Sequence, residues 1–110
     1  MAQLANPEDI KKATAVLDIR PEAERNSSPC IAGALCLEWD REGGKFVPDE
    51  ATIEKTLPAK DAAIAVHCKT GGRVSMALGV LKSLGYTNVM NAGGPNGGEE
   101  QWQALQTLAK

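Results

Sequence analysis

Val66-His67-Cys68-Lys69-Thr70-Gly71-Gly72-Arg73-Val74-Ser75 places an apolar run, a cysteine, two glycines, an arginine and the start of a helical pattern side by side. Upstream, Ala62 to His67 is the most hydrophobic stretch of the chain and reads as a central, buried strand. Downstream, Val74, Ala77, Leu78, Leu81 and Leu84 recur at helical spacing. They predict a helix over Ser75 to Leu84 that begins near Arg73 and is closed by Gly85 at the C′ position. A buried strand feeding a helix through a tight loop is the unit from which parallel α/β sheets are built.

The flanking sequence repeats that alternation. Asn6-Pro7-Glu8-Asp9 reads as a helix start, with Asn6 as N-cap and Pro7 at the first helical position. Ala15 to Ile19 and Ala34 to Leu37 read as strands, with a turn or helical turn from Pro21 to Arg25 between them. Glu50 to Lys55 is a helix stopped by Pro58, Asn88 to Asn91 a last strand, and Glu99 to Ala109 a C-terminal helix with Trp102, Leu105 and Leu108 on one face. The expected fold is α/β: a central, mostly parallel sheet of about five strands with helices on both faces, in one domain over residues 1–110.

Composition limits the chemistry. The chain has 110 residues, 12 Lys+Arg against 14 Asp+Glu, and 4% aromatic residues. A slightly acidic balance with few aromatics argues against nucleic acid and against a polybasic membrane anchor. The N-terminal stretch lacks the basic start and apolar core of a signal peptide, and no apolar run approaches the roughly 20 residues of a spanning helix. A reducing, cytoplasmic setting with Cys30, Cys36 and Cys68 as thiols is the expectation. A single histidine, His67, and an odd cysteine count exclude a His-rich metal site and a full disulfide framework. No metal and no cofactor are expected.

The candidate site is therefore the loop after the central strand. Ligands of open α/β sheets sit outside the carboxyl ends of the strands, where this loop falls. Backbone N–H groups of Lys69, Thr70, Gly71, Gly72 and Arg73, with those of the following helix, can converge on one point. Such a point favours Cys68 as thiolate and stabilises an anionic sulfur attached to it. Gly71 and Gly72 let the backbone turn tightly, and Arg73 adds a fixed charge that grips an oxyanion. A lone cysteine at a strand end is more often a small buried hydrophobe; the glycines and arginine in the same turn favour the functional reading. Alternation along the strand turns His67 to the other face, as a packed side chain rather than a base. Cys36, within a strand, is expected in the core, and Cys30 in a loop, where it can be exposed and serve as a resolving thiol or sulfur relay. Trp39 and Trp102 read as packing residues, and Gly93-Gly94 as a turn or a close backbone approach near the site.

At these residues the sequence resembles the rhodanese-like sulfurtransferases. Cys68-Lys69-Thr70-Gly71-Gly72-Arg73 matches their Cys-x-x-Gly-x-Arg loop, and Asp18-Ile19-Arg20 with Glu24 resembles their Asp-Val-Arg-x-x-x-Glu segment. Ile31-Ala32-Gly33-Ala34, Leu84-Gly85-Tyr86-Thr87-Asn88-Val89 and Ala92-Gly93-Gly94 with the later Trp102 resemble further family segments in the right order. Cys30 stands where the family usually has His, Ala32 where it has Pro, and Val74 where Ser commonly follows the loop arginine. The resemblance implies a rhodanese-like fold and transfer of sulfane sulfur from thiosulfate or a similar small anionic donor, through a persulfide on Cys68, to a thiol or protein acceptor. It also implies that Asp18 orients Arg73 or the loop and that Arg20 pairs with Glu24, although the plainer expectation for both residues is a structural ion-pair network. Two alternatives remain: a Cys-based phosphatase or arsenate reductase, and a non-enzymatic module that carries sulfur or docks a partner. Four residues separate Cys68 from Arg73, whereas the phosphatase loop holds one more; the family resemblance implies that the shorter loop suits a persulfide sulfur and the longer one a tetrahedral phosphate.

Overall fold

In the computed structural model, which describes residues 3–110, the first chain segment obeys its capping signals. Helix α1 (Pro7–Lys11) begins at Asn6, whose side chain accepts the Glu8 N–H at 2.9 Å, and Pro7 occupies a position that needs no N–H donor. The chain then runs through β1 (Ala15–Asp18), α2 (Glu22–Ser27), β2 (Leu35–Cys36), β3 (Trp39–Asp40), β4 (Lys45–Phe46), α3 (Glu50–Thr56), β5 (Ile64–His67), α4 (Gly72–Ser83), β6 (Val89–Asn91) and α5 (Glu99–Gln106).

Four strands form one parallel sheet in the order β2-β1-β5-β6. The β5 strand is central and all four of its residues are buried. The sheet has four strands where about five were expected. The remaining pair, β3 and β4, forms a separate antiparallel ribbon in which Trp39 opposes Phe46, their rings meeting edge to face at 5.0 Å. This ribbon closes one end of the larger core and makes Trp39 a packing residue.

Alternation along β1 and β5 divides the interior. Leu17, Ile64 and Val66 point to one face with Ile53 of α3 and Val74, Ala77 and Leu81 of α4. Val16 and Ala65 point to the other, with Ile10 of α1 and Ala104 and Leu105 of α5. Each large aliphatic side chain buried in these layers contributes about 1.5–3 kcal/mol. Helices thus cover both faces, as the near-continuous apolar β5 requires. Helix α4 ends as its sequence dictates: Gly85 takes φ +99° and the Tyr86 N–H returns to the Leu81 carbonyl at 3.0 Å.

The strand order places the chain reversal between β1 and β5. From β1 the chain moves outward to β2, and from β5 it moves the other way to β6. The carboxyl ends of β1 and β5 therefore flank the crevice where open α/β folds bind ligands. Cys36 departs from expectation. It lies at the carboxyl end of the edge strand β2 and is exposed, because no strand covers that side of the sheet.

Candidate functional site

The β5 strand ends at His67, and the next residue, Cys68, is 1% exposed. Its backbone N–H donates to the Gly93 carbonyl at 3.0 Å, so the turn after β6 fixes where the loop starts. Gly71 then takes φ +99° as the N-cap of α4, a conformation that favours glycine. That twist turns the Gly71 N–H back onto Cys68 Sγ at 3.0 Å. Among the described residues, no hydrogen bond occupies the N–H groups of Lys69, Thr70, Gly72 or Arg73. The sulfur sits in a turn of backbone donors at the start of a twelve-residue helix, which favours negative charge there.

A second layer of backbone holds the loop. Asn91, buried at the end of β6, donates from Nδ2 to the Gly71 carbonyl at 3.1 Å, and its Oδ1 accepts the Gly93 N–H at 2.9 Å. The Asn96 N–H donates to the Lys69 carbonyl at 2.9 Å. A side chain at Gly94 would overlap the carbonyl oxygens of Cys68 and Lys69, and one at Gly97 would overlap that of Thr70. The Gly93-Gly94 pair is the close approach expected from its glycines. Asn91 was not singled out in the sequence; a polar residue ending a strand just before Ala-Gly-Gly was its only signal.

Arg73 extends from the first turn of α4 to Glu24 of α2, with Nη1 to Oε2 at 3.1 Å and Nη2 to Oε1 at 2.6 Å. This paired hydrogen bond is the main reason the Arg73 pKa is raised, with smaller support from Cys68 beside it. The same bond holds the Glu24 carboxyl below its ordinary value. The implied partnerships are therefore corrected: Glu24 holds Arg73, while Arg20 pairs with Asp18. Arg20 is fully buried and reaches Asp18 through Nε to Oδ1 at 3.0 Å and Nη2 to Oδ2 at 2.8 Å. Its Nη2 also donates to the Pro29 carbonyl at 3.0 Å. Asp18 and Arg20 form a buried brace at the end of β1 and have no hydrogen bond to the loop among the described residues. The swap has a geometric cause: Arg20, two residues beyond Asp18, folds back on it, which leaves Glu24 on α2 facing Arg73.

His67 is buried on the face opposite the thiol. Its ring packs edge-on to Trp102 at 5.4 Å. Nδ1 lies 3.0 Å from the Cys68 carbonyl, which can only accept, so neutral His67 carries its proton on Nδ1. Burial lowers its pKa despite Asp18 nearby. It is a packed histidine that braces the Cys68 carbonyl. Lys69 and Thr70 are exposed on the outer rim of the loop. Among the described residues, no group of three or more His, Cys, Asp or Glu side chains is placed to hold a metal ion.

The Cys68 thiol is thus nearly closed off, with the Gly71 N–H on its sulfur and Arg73 in the first turn of the helix that follows. The rhodanese-like domain family matches residues 1–105, and the chain belongs to that family. Among solved structures, the crystal structure of the Alr3790 protein from Anabaena sp. superposes with a TM-score of 0.60 at 21% identity, covering 92% of this chain and 86% of that one. That likeness supports the fold alone. Comparison with curated proteins finds no significant match. No helix among the described residues is long and apolar enough to cross a membrane.

Proposed function

We propose that this chain is a sulfurtransferase that carries sulfane sulfur on Cys68. Membership of the rhodanese-like family supports a thiol-dependent domain of this general kind. The observation that carries the finer reading is the short loop: four residues lie between Cys68 and Arg73, and within it the Gly71 N–H points at Sγ from 3.0 Å. A loop drawn this tightly onto the sulfur suits one further sulfur atom.

In the first half-reaction the Cys68 thiolate attacks the outer sulfur of thiosulfate or a similar donor. A Cys68–sulfur bond forms, the bond to the sulfonate sulfur breaks, and sulfite leaves with the electron pair. In the second, an acceptor thiolate attacks the outer sulfur of the persulfide and Cys68 leaves as thiolate. Two half-reactions through a covalent intermediate give ping-pong kinetics. The loop N–H groups stabilise the anionic sulfur in both, and a single donor of this kind is worth about 3–4 kcal/mol when aimed at developing charge. Arg73, with Lys69 on the rim, binds the anionic donor; the donor shares the guanidinium with Glu24. Cys68 is 1% exposed, which restricts the donor to a small group.

Intact-mass measurement after thiosulfate treatment tests this directly. A one-sulfur adduct is expected on the wild type, absent from Cys68→Ser and discharged by cyanide or a thiol. Hydrolysis of an aryl phosphate without any sulfur adduct overturns the reading in favour of a phosphatase.

A further inference from the structure

Cys30 and Cys36 form a second thiol cluster at the edge of the sheet. They flank a turn in which the Ala34 N–H donates to the Ile31 carbonyl at 3.1 Å and Gly33 takes φ +85°. The turn brings Ile31 and Ala34 together, and a thiol lies just outside each end of it. Arg25 of α2 touches both. Its carbonyl accepts the Cys30 thiol at 2.9 Å, and its Nη1 donates to Cys36 Sγ at 3.1 Å. Arg20 Nη2 also reaches Cys30 Sγ, at 3.5 Å. Both cysteines are exposed and free.

Cys68 is separated from this pair. Cys36, Asp18 and His67 are in register across the sheet and share one face, whereas Cys68 belongs to the core on the other. Any partner for Cys36 within the chain is therefore Cys30.

We propose that Cys30 and Cys36 form a reversible disulfide, making this edge a redox-modification site that responds to peroxide. Cys30 attacks one oxygen of hydrogen peroxide: a sulfur–oxygen bond forms, the oxygen–oxygen bond breaks, and the departing hydroxide leaves as water. Cys36 then attacks the Cys30 sulfur: the disulfide bond forms, the sulfur–oxygen bond breaks, and a second water leaves. The two thiols lose two protons and two electrons, which the peroxide takes up. Partial burial pushes the Cys36 thiol up, against the opposing pull of the Arg25 guanidinium. In this sequence Cys36 takes the resolving role. Both sulfurs contact Arg25, Cys30 at its carbonyl and Cys36 at its guanidinium; closing the bridge draws the two ends of the 31–34 turn together. This inference does not depend on sulfur transfer, and either can fail without the other.

The test treats the full chain with a small excess of hydrogen peroxide at neutral pH, traps remaining thiols with iodoacetamide in denaturant, and maps the tryptic peptides. The peptide spanning residues 26–41 contains both cysteines. It is expected two hydrogens light and unalkylated, with Cys68 alkylated in its own peptide and all three thiols recovered after dithiothreitol. In Cys36→Ser, Cys30 is expected to proceed to sulfinic acid instead. A disulfide that includes Cys68, or separate oxidation of Cys30 and Cys36 without linkage in the wild type, overturns the proposal.

Discussion

Two thiol environments lie at the same end of this sheet, and they differ in which partners face the sulfur. The Cys68 sulfur accepts from a donor, the Gly71 N–H at 3.0 Å, set at the start of α4. Around Cys30 the sulfur faces acceptors as well: the carbonyls of Arg25 at 2.9 Å and Ser28 at 3.4 Å. Cys36 faces the Ala34 carbonyl at 3.8 Å and the Arg25 guanidinium at 3.1 Å. The Cys68 sulfur accepts a backbone N–H at the start of a helix, an arrangement that suits an anionic group bound there. The Cys30 sulfur instead gives its hydrogen bonds to carbonyls and also receives the Arg20 guanidinium at 3.5 Å. The arginines follow the same division. Arg73 is held at the rim by a carboxylate, Glu24, which a ligand anion can compete with. Arg25 is held by a carbonyl and a thiol, with no place reserved for an anion.

The sharpest way to break this contrast is to remove the sulfurs one at a time. Cys68→Ala is expected to lower sulfur transfer at least about 1,000-fold, roughly 4 kcal/mol of transition-state stabilisation. Cys36→Ser is expected to leave it within about twofold. Comparable losses from both variants would erase the distinction between the two environments. The next largest effect falls on the backbone layer behind Cys68. Gly94→Ala drives a Cβ into the Cys68 and Lys69 carbonyl oxygens, an overpacking that backbone cannot easily yield to and that costs about 3 kcal/mol. Thermal unfolding is expected to drop by roughly 10–20 °C. Gly79, with open space around it, is the control: Gly79→Ala on exposed α4 is expected to hold or raise the midpoint. A smaller effect is expected at the rim. Arg73→Lys keeps the charge but loses the two-point grip on Glu24, and kcat/KM for thiosulfate should fall about 10-fold, chiefly through KM. If Arg73→Lys left KM unchanged, the arginine would be a purely structural brace.

How legible these regions were in the sequence follows from the range of the forces involved. The β5 strand, its glycine loop and α4 are local: apolar run, turn residues and helical spacing lie within a few residues of one another, and the structure has all three. Asn6 capping α1 and Gly85 closing α4 are local in the same sense. Tertiary partners were not legible. Glu24 holds Arg73 from 49 residues away, and only the fold decides whether it meets Arg73 or Arg20. Cys36 sits in an apolar run, yet its strand is at the sheet edge, and edge position is a property of strand order. The β3–β4 ribbon escaped because each strand has two residues, too short for alternation to show, and its pairing rests on Trp39 packing against Phe46. Asn91 escaped because its role is to join two loops that are distant in the chain.

The smallest expected effect separates the two sides of the sheet by pH. His67, the only histidine, lies on the face away from the thiol, and burial depresses its pKa below the ordinary 6.5. The unfolded chain therefore binds a proton more readily there than the folded one. Stability is full above pH 6.5 and falls as pH drops from that value toward the lower folded pKa. Glu24, on the site side, is also depressed, from 4.5, by its hydrogen bond to Arg73. Its contribution is full above pH 4.5 and is lost as pH falls further. Urea midpoints measured from pH 8 to pH 3 should thus decline in two windows, the first owned by His67 and the second shared by Glu24. His67→Phe, which keeps a ring against Trp102, is expected to remove the decline that begins near pH 6.5 and leave the lower one. Glu24→Gln should weaken only the lower one. A first window that survives in His67→Phe would show that another group, and not the buried imidazole, couples this end of the sheet to pH.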